Sequence, residues 1–320
     1  MLNFIKNILI ISLIAFVGFL ISSKEYRDYF DRFLEKMAKE IEIHSNYYLA
    51  FIVIISAILR FHHLGVREFW YDESFTSILI KQPWDGFFTF VLKDLHPPFY
   101  YMCLKAWATI FGFSDLGLRS FSAVFGILII PLTYCFVKKL SGNKVLALST
   151  SLIFAVNPFL IQYSQEARAY SFLVLLIIGT MYALYNRRWF LFSLLFSIAI
   201  LTHYISIFLL PSLLIFAVTE YLKSRNLKIK SLLALLLPAV LLIFWAPIFR
   251  AHFDHAVALL GWVEKPQFKD LLNSIEIFSL GKSAGGLKSL SILTLILGTS
   301  TYFFAKSTKE TKLKGLFLLL

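Results

Sequence analysis

Apolar stretches alternate with short polar linkers along the whole chain. The runs fall near residues 8–23, 47–61, 118–137, 145–161, 169–185, 189–201, 204–222, 231–249 and 287–305. A helix needs roughly 17–25 largely apolar residues to cross a bilayer, and all but two of the runs come near that length. The short ones, Tyr47–Phe61 and Trp189–Leu201, call for snorkelling or local thinning at their ends, and Arg60 and Arg188 stand where a snorkelling cation would. The pattern predicts an all-α integral membrane protein: a polytopic bundle of about nine or more spanning helices with a long first outer loop that carries interfacial helices.

Composition strengthens that reading. Of 320 residues 58% are hydrophobic and 17% aromatic, and the mean hydropathy is +0.74. Soluble domains hold roughly 45–50% apolar residues, so a water-soluble core could not absorb this much apolar surface.

The cations give an orientation. They crowd the linkers Lys24–Lys39, Lys138–Lys144, Arg187–Arg188, Lys223–Lys230 and Lys306–Lys314. These linkers alternate with the others, so all of them can lie on the cytoplasmic side, where Lys and Arg are enriched. The linkers 62–117, 162–168, the turn at His203, and 250–286 then face outward, as expected for the plasma or inner membrane with an extracytoplasmic site. A net charge of +12 follows from this topology and from contact with anionic membrane lipids, and no nucleic-acid partner is implied.

Two parts are expected. Residues 1–46 read as an extra N-terminal membrane helix, uncleaved rather than a signal peptide, followed by a cytoplasmic amphipathic linker with Phe30, Phe33, Met37 and Ile41 at helical spacing. Residues 47–320 read as one transmembrane domain. It reads as cut short, because Gly315–Leu320 begins a further apolar run just after a cationic linker. Cys103 and Cys135 fall on opposite sides of the membrane, and no disulfide framework is expected.

The unusual polar residues lie in the outer linkers. The long loop carries Phe69-Trp70-Tyr71-Asp72-Glu73-Ser74, two acids directly after three aromatics, and then Asp94-Leu95-His96-Pro97-Pro98. The prolines keep His96 out of a helix and start an amphipathic stretch whose Tyr101, Leu104, Trp107, Ala108 and Phe111 suit a helix in the interface. Ser164-Gln165-Glu166-Ala167-Arg168-Ala169-Tyr170 joins two later runs, and Thr202-His203-Tyr204 follows on the same side. Asn157 before Pro158 suits a helix-packing hydrogen bonder. In the last outer linker His252, Asp254 and His255 could gather round a metal ion. Gly281-Lys282-Ser283 is not a phosphate loop, since Glu276 occupies the place of its first glycine, and no nucleotide is expected.

The ordered set of Arg60 to Ser74, His96 to Tyr101, Phe111 to Asp115 before Arg119, Ser164 to Tyr170 and Thr202-His203-Tyr204 resembles the superfamily of protein mannosyltransferases and aminoarabinose transferases, membrane glycosyltransferases of the GT-C type. The resemblance covers residues 47 to about 210. It implies a polyprenyl-phosphate-linked sugar as donor, typically a hexose such as mannose, and a hydroxyl of a protein, lipid or glycan as acceptor. It places the catalytic or metal-binding centre on Asp72 and Glu73.

The chemistry agrees with that assignment. Displacing a lipid phosphate from an anomeric carbon needs a base for the acceptor proton, and Asp72 is the candidate. Glu73 would orient the acceptor or, with Asp72, help hold a divalent metal ion through oxygen ligands. The departing phosphate needs positive partners, for which Arg168 is the first choice, with His96 and His203 next. Glu166 and Tyr170 complete the expected substrate-binding set. The resemblance suggests inversion at the anomeric centre, although no sequence feature decides between inversion and retention. The rival reading is a flippase or transporter for a lipid-linked sugar. Transporters place such polar groups near the bilayer midplane, whereas these cluster at one outer face.

Overall fold

The computed structural model describes residues 32, 36–92, 94–213, 215–216, 218, 233–259 and 267–280. The expected spans at 8–23 and 287–305, the cationic linkers 223–230 and 306–314, residues Trp262 to Lys265 and the Gly281-Lys282-Ser283 string lie outside these residues. Among the described residues all regular structure is helical.

The chain divides into two units, Met1–Tyr48 and Leu49–Leu320. In the first, Lys36–Ile43 is helical, as expected for the amphipathic linker, and Glu40 approaches His44 Nε2 at 3.1 Å. Helix α1 spans Ser45–Phe61, and three short helices of the second unit follow in the long loop: α2 (Tyr71–Lys81), α3 (Trp84–Val91) and α4 (Phe99–Phe111). The longer helices come next: α5 (Asp115–Ser141), α6 (Lys144–Val156), α7 (Pro158–Ser164), α8 (Tyr170–Tyr185) and α9 (Trp189–Thr202). A 3-10 turn covers Tyr204–Leu209, and α10 (Leu236–Leu259) and α11 (Phe268–Leu280) complete the series.

Helix boundaries follow local chemistry. Ser114 caps α5 by accepting from the Gly117 N–H at 3.1 Å, and Gly142, at φ 70°, ends it in the left-handed conformation that glycine adopts without strain. Asn143 then caps α6. At 27 residues α5 is about 40 Å long, enough to cross a bilayer, and Leu236–Asp254 within α10 is the second helix that qualifies by itself. Joining bent pairs brings the candidates among the described residues to at most four, and two of the nine runs read from the sequence, 8–23 and 287–305, lie outside those residues.

One expected span is broken. The run at 145–161 bends by 58° between α6 and α7, because Pro158 cannot continue the hydrogen-bond ladder and Asn157 caps the new helix through the Leu160 N–H. Asn157 is therefore the hinge of the break, and its amide also donates to the Phe278 carbonyl in α11 at 3.0 Å. The break frees the last carbonyls of α6. Arg60 takes them up: fully buried rather than snorkelling, it donates to Ala155 O at 2.9 Å and Phe154 O at 3.1 Å, and to the hydroxyls of Ser56 and Ser164. Arg188, by contrast, is exposed.

The loop helices are not peripheral. Leu79, Ile80, Phe87, Val91, Tyr100, Tyr101 and Leu104 form one buried core with Leu118 and Phe121 of α5 and with Phe172, Leu173 and Leu176 of α8. Each large apolar side chain buried in this way contributes roughly 1.5–3 kcal/mol. The predicted stripe of α4 holds at Tyr101, Leu104 and Ala108, whereas Phe111 at its end is exposed. Lys105, on the same stripe, is buried and donates to the carbonyls of Ile80 at 2.7 Å and Gln82 at 2.6 Å, so a cation caps the C-terminus of α2. Helix α2 is thus pinned at the end away from the two acids. A second core, around Phe192, Phe196 and Ile200, joins α9 to α8.

Candidate active site

Asp72 and Glu73 occupy the first turn of α2, where negative charge meets the positive end of the helix dipole. Their surroundings differ completely. Glu73 is 1% exposed and accepts from two of the three guanidinium nitrogens of Arg119, Nε at 2.8 Å and Nη2 at 2.7 Å. Its Oε1 also accepts the Ala167 N–H at 2.8 Å, and its Oε2 accepts the Trp70 N–H. Arg119 spends its remaining donors on the carbonyls of Leu64, Arg67 and Glu68. One buried ion pair therefore ties together the start of α2, the turn before it, α5 and the 164–170 linker. Such forked, fully hydrogen-bonded pairs are the ones that survive burial.

Asp72 stays partly open. Its side chain is 34% exposed and stands 3.6 Å from Arg168 Nη2. Arg168 is itself held by Thr76 Oγ1 at 3.3 Å and the Asp72 carbonyl at 3.5 Å, and Ser122 donates to its backbone carbonyl at 3.0 Å.

Beyond Arg168 lies a narrow space lined by His96, Tyr100, Tyr101, Tyr170 and His203, with room for about one oxygen-sized group. The rings of His96 and His203 meet edge to face at 5.2 Å, and Tyr170 lies 6.4 Å from His203. His96 Nδ1 contacts Asp94 Oδ2 at 3.2 Å, and the Tyr101 hydroxyl donates to the same oxygen at 2.7 Å. Burial would raise the Asp94 carboxyl, but the bonds and charge from His96, with help from Tyr101 and the Leu95 N–H, outweigh it and hold Asp94 below its ordinary range. His203 moves the other way, lowered to about 4 by burial and by the charges of His96 and Arg168. The Tyr100 hydroxyl, 2% exposed, has no hydrogen-bond partner of good geometry within the chain, and burial pushes it up.

On the other side of the 164–170 linker is a larger cleft of about 520 Å³, lined by His62, His63, Trp70, Gln162 and Glu166 and backed by Glu73 and Arg119. Glu166 accepts from Gln162 Nε2 at 3.3 Å here. Of the expected site residues, Arg168, His96, His203 and Tyr170 therefore line the narrow space, Asp72 stands next to Arg168, and Glu73 and Glu166 line the cleft.

From the sequence Arg119 and Asp94 carry no expected site role, and Tyr101 only a place on the amphipathic stripe of α4. The available signal was a cation in the first turns of a long apolar helix, which needs a partner. His252 is buried and contacts Tyr204 Oη at 2.8 Å and the Leu92 carbonyl at 3.1 Å, while Trp245 donates to Tyr204 Oη at 2.9 Å. That network fastens α10 to the end of α3. Among the described residues no three His, Cys, Asp or Glu side chains gather as a metal site, and Asp254 faces Arg250 at 3.9 Å. With Glu73 committed to Arg119, Asp72 is the open carboxylate of the pair.

The profile of the dolichyl-phosphate-mannose-protein mannosyltransferase family matches residues 95–249, a little under half of the chain. The match takes in His96, Arg119, Arg168, Tyr170 and His203 but starts after Asp72 and Glu73. The solved structure of the S. cerevisiae protein O-mannosyltransferase Pmt1-Pmt2 complex, bound to its sugar donor, superposes with a TM-score of 0.51 at 18% identity over 65% of this chain and 34% of that one. The chain thus shares its fold with that O-mannosyltransferase. An uncharacterized protein of Aquifex aeolicus is 31% identical over 182 residues, 52% of this chain and 36% of that protein. The chain thus spans about a third of the length of the relatives it matches. The GT-C fold and the apolar helices make it an integral membrane protein.

Proposed function

We propose that this GT-C chain transfers a sugar from a polyprenyl-phosphate carrier to an acceptor hydroxyl, with Asp72 as the base. The observation that carries the reading is the open Asp72 carboxylate held 3.6 Å from Arg168, beside a space lined by two histidines. That arrangement sets a proton acceptor next to a fixed cation, as displacement of an anionic leaving group requires. The lipid phosphate sits toward Arg168, His96 and His203. The acceptor hydroxyl approaches the exposed side of the Asp72 carboxylate. Glu73 acts as a positioning residue that locks the first turn of α2. The donor sugar is a hexose such as mannose, the reaction is a single inverting displacement, and the site faces the extracytoplasmic side.

The test uses the full chain in lipid discs with labelled polyprenyl-phosphate mannose and a membrane extract as acceptor source. Native protein should release label from the donor, and Asp72→Asn should lower that rate by roughly 100-fold or more. An intact donor with native protein would remove the transferase reading.

A further inference from the structure

The histidines facing the narrow space are wired differently. A carboxylate only accepts hydrogen bonds, so the contact between Asp94 Oδ2 and His96 Nδ1 puts a proton on Nδ1 and leaves Nε2 as the free nitrogen. His203 is the reverse: its Nδ1 accepts the Ile205 N–H at 3.2 Å, so in the neutral ring the proton sits on Nε2. Behind His96 stands an anion, itself steadied by the Tyr101 hydroxyl at 2.7 Å and 11% exposed. No carboxylate lines the space on the His203 side; the groups there are Tyr170, Tyr100 and Arg168. The buried Tyr100 hydroxyl, without a well-placed partner in the chain, lines the same space and marks it as built for a polar guest.

We infer that Asp94 is a positioning residue that makes His96 the acid for the departing lipid phosphate, while His203 serves as a neutral hydrogen-bond donor. The inference rests on the transferase reading above. As the bond from the anomeric carbon to the phosphate oxygen breaks, its electron pair stays on that oxygen. The Nε2 proton of a doubly protonated His96 passes to the phosphate, and the ring is left neutral with Nδ1–H on Asp94. The acceptor oxygen forms the new bond to the anomeric carbon and gives its proton to Asp72. One proton is delivered and one is taken up, so the site's charge balances over the transfer. Tyr101 keeps Asp94 from turning away.

Two readouts separate this role from simple packing. Nitrogen NMR of the full chain in lipid discs, labelled in histidine and assigned with His96→Gln, reports which ring nitrogen holds the proton. Neutral His96 should carry it on Nδ1, and Asp94→Asn should abolish that preference. In the labelled polyprenyl-phosphate mannose assay, Asp94→Asn should lower kcat by roughly tenfold or more with little change in KM, and Tyr101→Phe should lower it less. Proton on Nε2 of His96 in the native protein, or full kcat in Asp94→Asn, would overturn the inference while leaving the transferase reading in place. If native protein releases no label, the transferase reading falls, and the proton-delivery role falls with it.

Discussion

Asp72 and Glu73 are adjacent in sequence, carry the same charge and sit on the same helical turn, yet one is an open carboxylate and the other a buried structural tie. Successive residues on a helix point about 100° apart. At the start of α2 that rotation sends Glu73 inward onto Arg119 and leaves Asp72 on the rim with Arg168. The difference between the sides is one of satisfaction. Around Glu73 a forked arginine and two backbone N–H groups fill the carboxylate. Around Asp72 the nearest cation stops at 3.6 Å, and a third of the side chain stays accessible. A closed pair fixes position; an open one can exchange a proton.

The largest effect is expected on the closed side. Glu73→Gln leaves the Arg119 charge buried without its counter-ion, which costs about 3–5 kcal/mol. The thermal midpoint in detergent should fall steeply. Asp72→Asn, the same atom exchange one residue earlier, should change stability by less than about 1 kcal/mol, because a loose and partly exposed pair contributes little. Replacing both Glu73 and Arg119 with methionine should recover part of the loss, since no charge then remains buried. Equal midpoints for Glu73→Gln and Asp72→Asn would erase the distinction.

The next effect concerns a third buried arginine. Arg60 binds only neutral acceptors, and it reaches them because Gly126 of α5 leaves room: a methyl group there would run into the Ser164 hydroxyl and come within 2.9 Å of Arg60 Nε. Ser164 opens the linker that carries Ala167 and Arg168 to the two acids. Gly126→Ala should therefore cost about 1–3 kcal/mol through overpacking, and it should disturb both sides of α2 together. Loss of stability with unchanged donor consumption would show that the two acids are positioned independently of this junction.

Much of this was legible in the sequence. The apolar periodicity gave the all-helical membrane class, and the ordered motifs brought Asp72, His96, Arg168, Tyr170 and His203 into one neighbourhood. Less legible was the division of labour between Asp72 and Glu73, which depends on the angle at which α2 docks and thus on Lys105 and Arg119, more than twenty residues away in sequence. Arg60 misled for a related reason. Position alone suggested snorkelling, whereas its partners exist only because the 145–161 run breaks at Asn157-Pro158. Periodicity shows how apolar a run is, not whether its carbonyls need an outside donor.

The smallest effect lies on the open side and appears only with acid. His203 is lowered to about 4 by burial, with His96 and Arg168 adding to the shift, whereas an unfolded chain binds the same proton near 6.5. Below pH 6.5 the unfolded state therefore holds a proton that the folded state does not, and stability declines as pH falls until His203 itself titrates near 4. Between pH 7 and 6 the loss is under about 1 kcal/mol. His203→Gln should remove this part of the acid sensitivity while leaving the midpoint at pH 8 within about 0.5 kcal/mol of native plus the cost of the lost Ile205 N–H bond. Glu73→Gln should keep the acid slope and lower the whole curve, because its effect comes from a charge that neither pH removes. Parallel curves for native protein and His203→Gln would mean that the ring takes up its proton at the same pH in the folded chain as in the unfolded one, and the open side would then gain a second cation in mild acid.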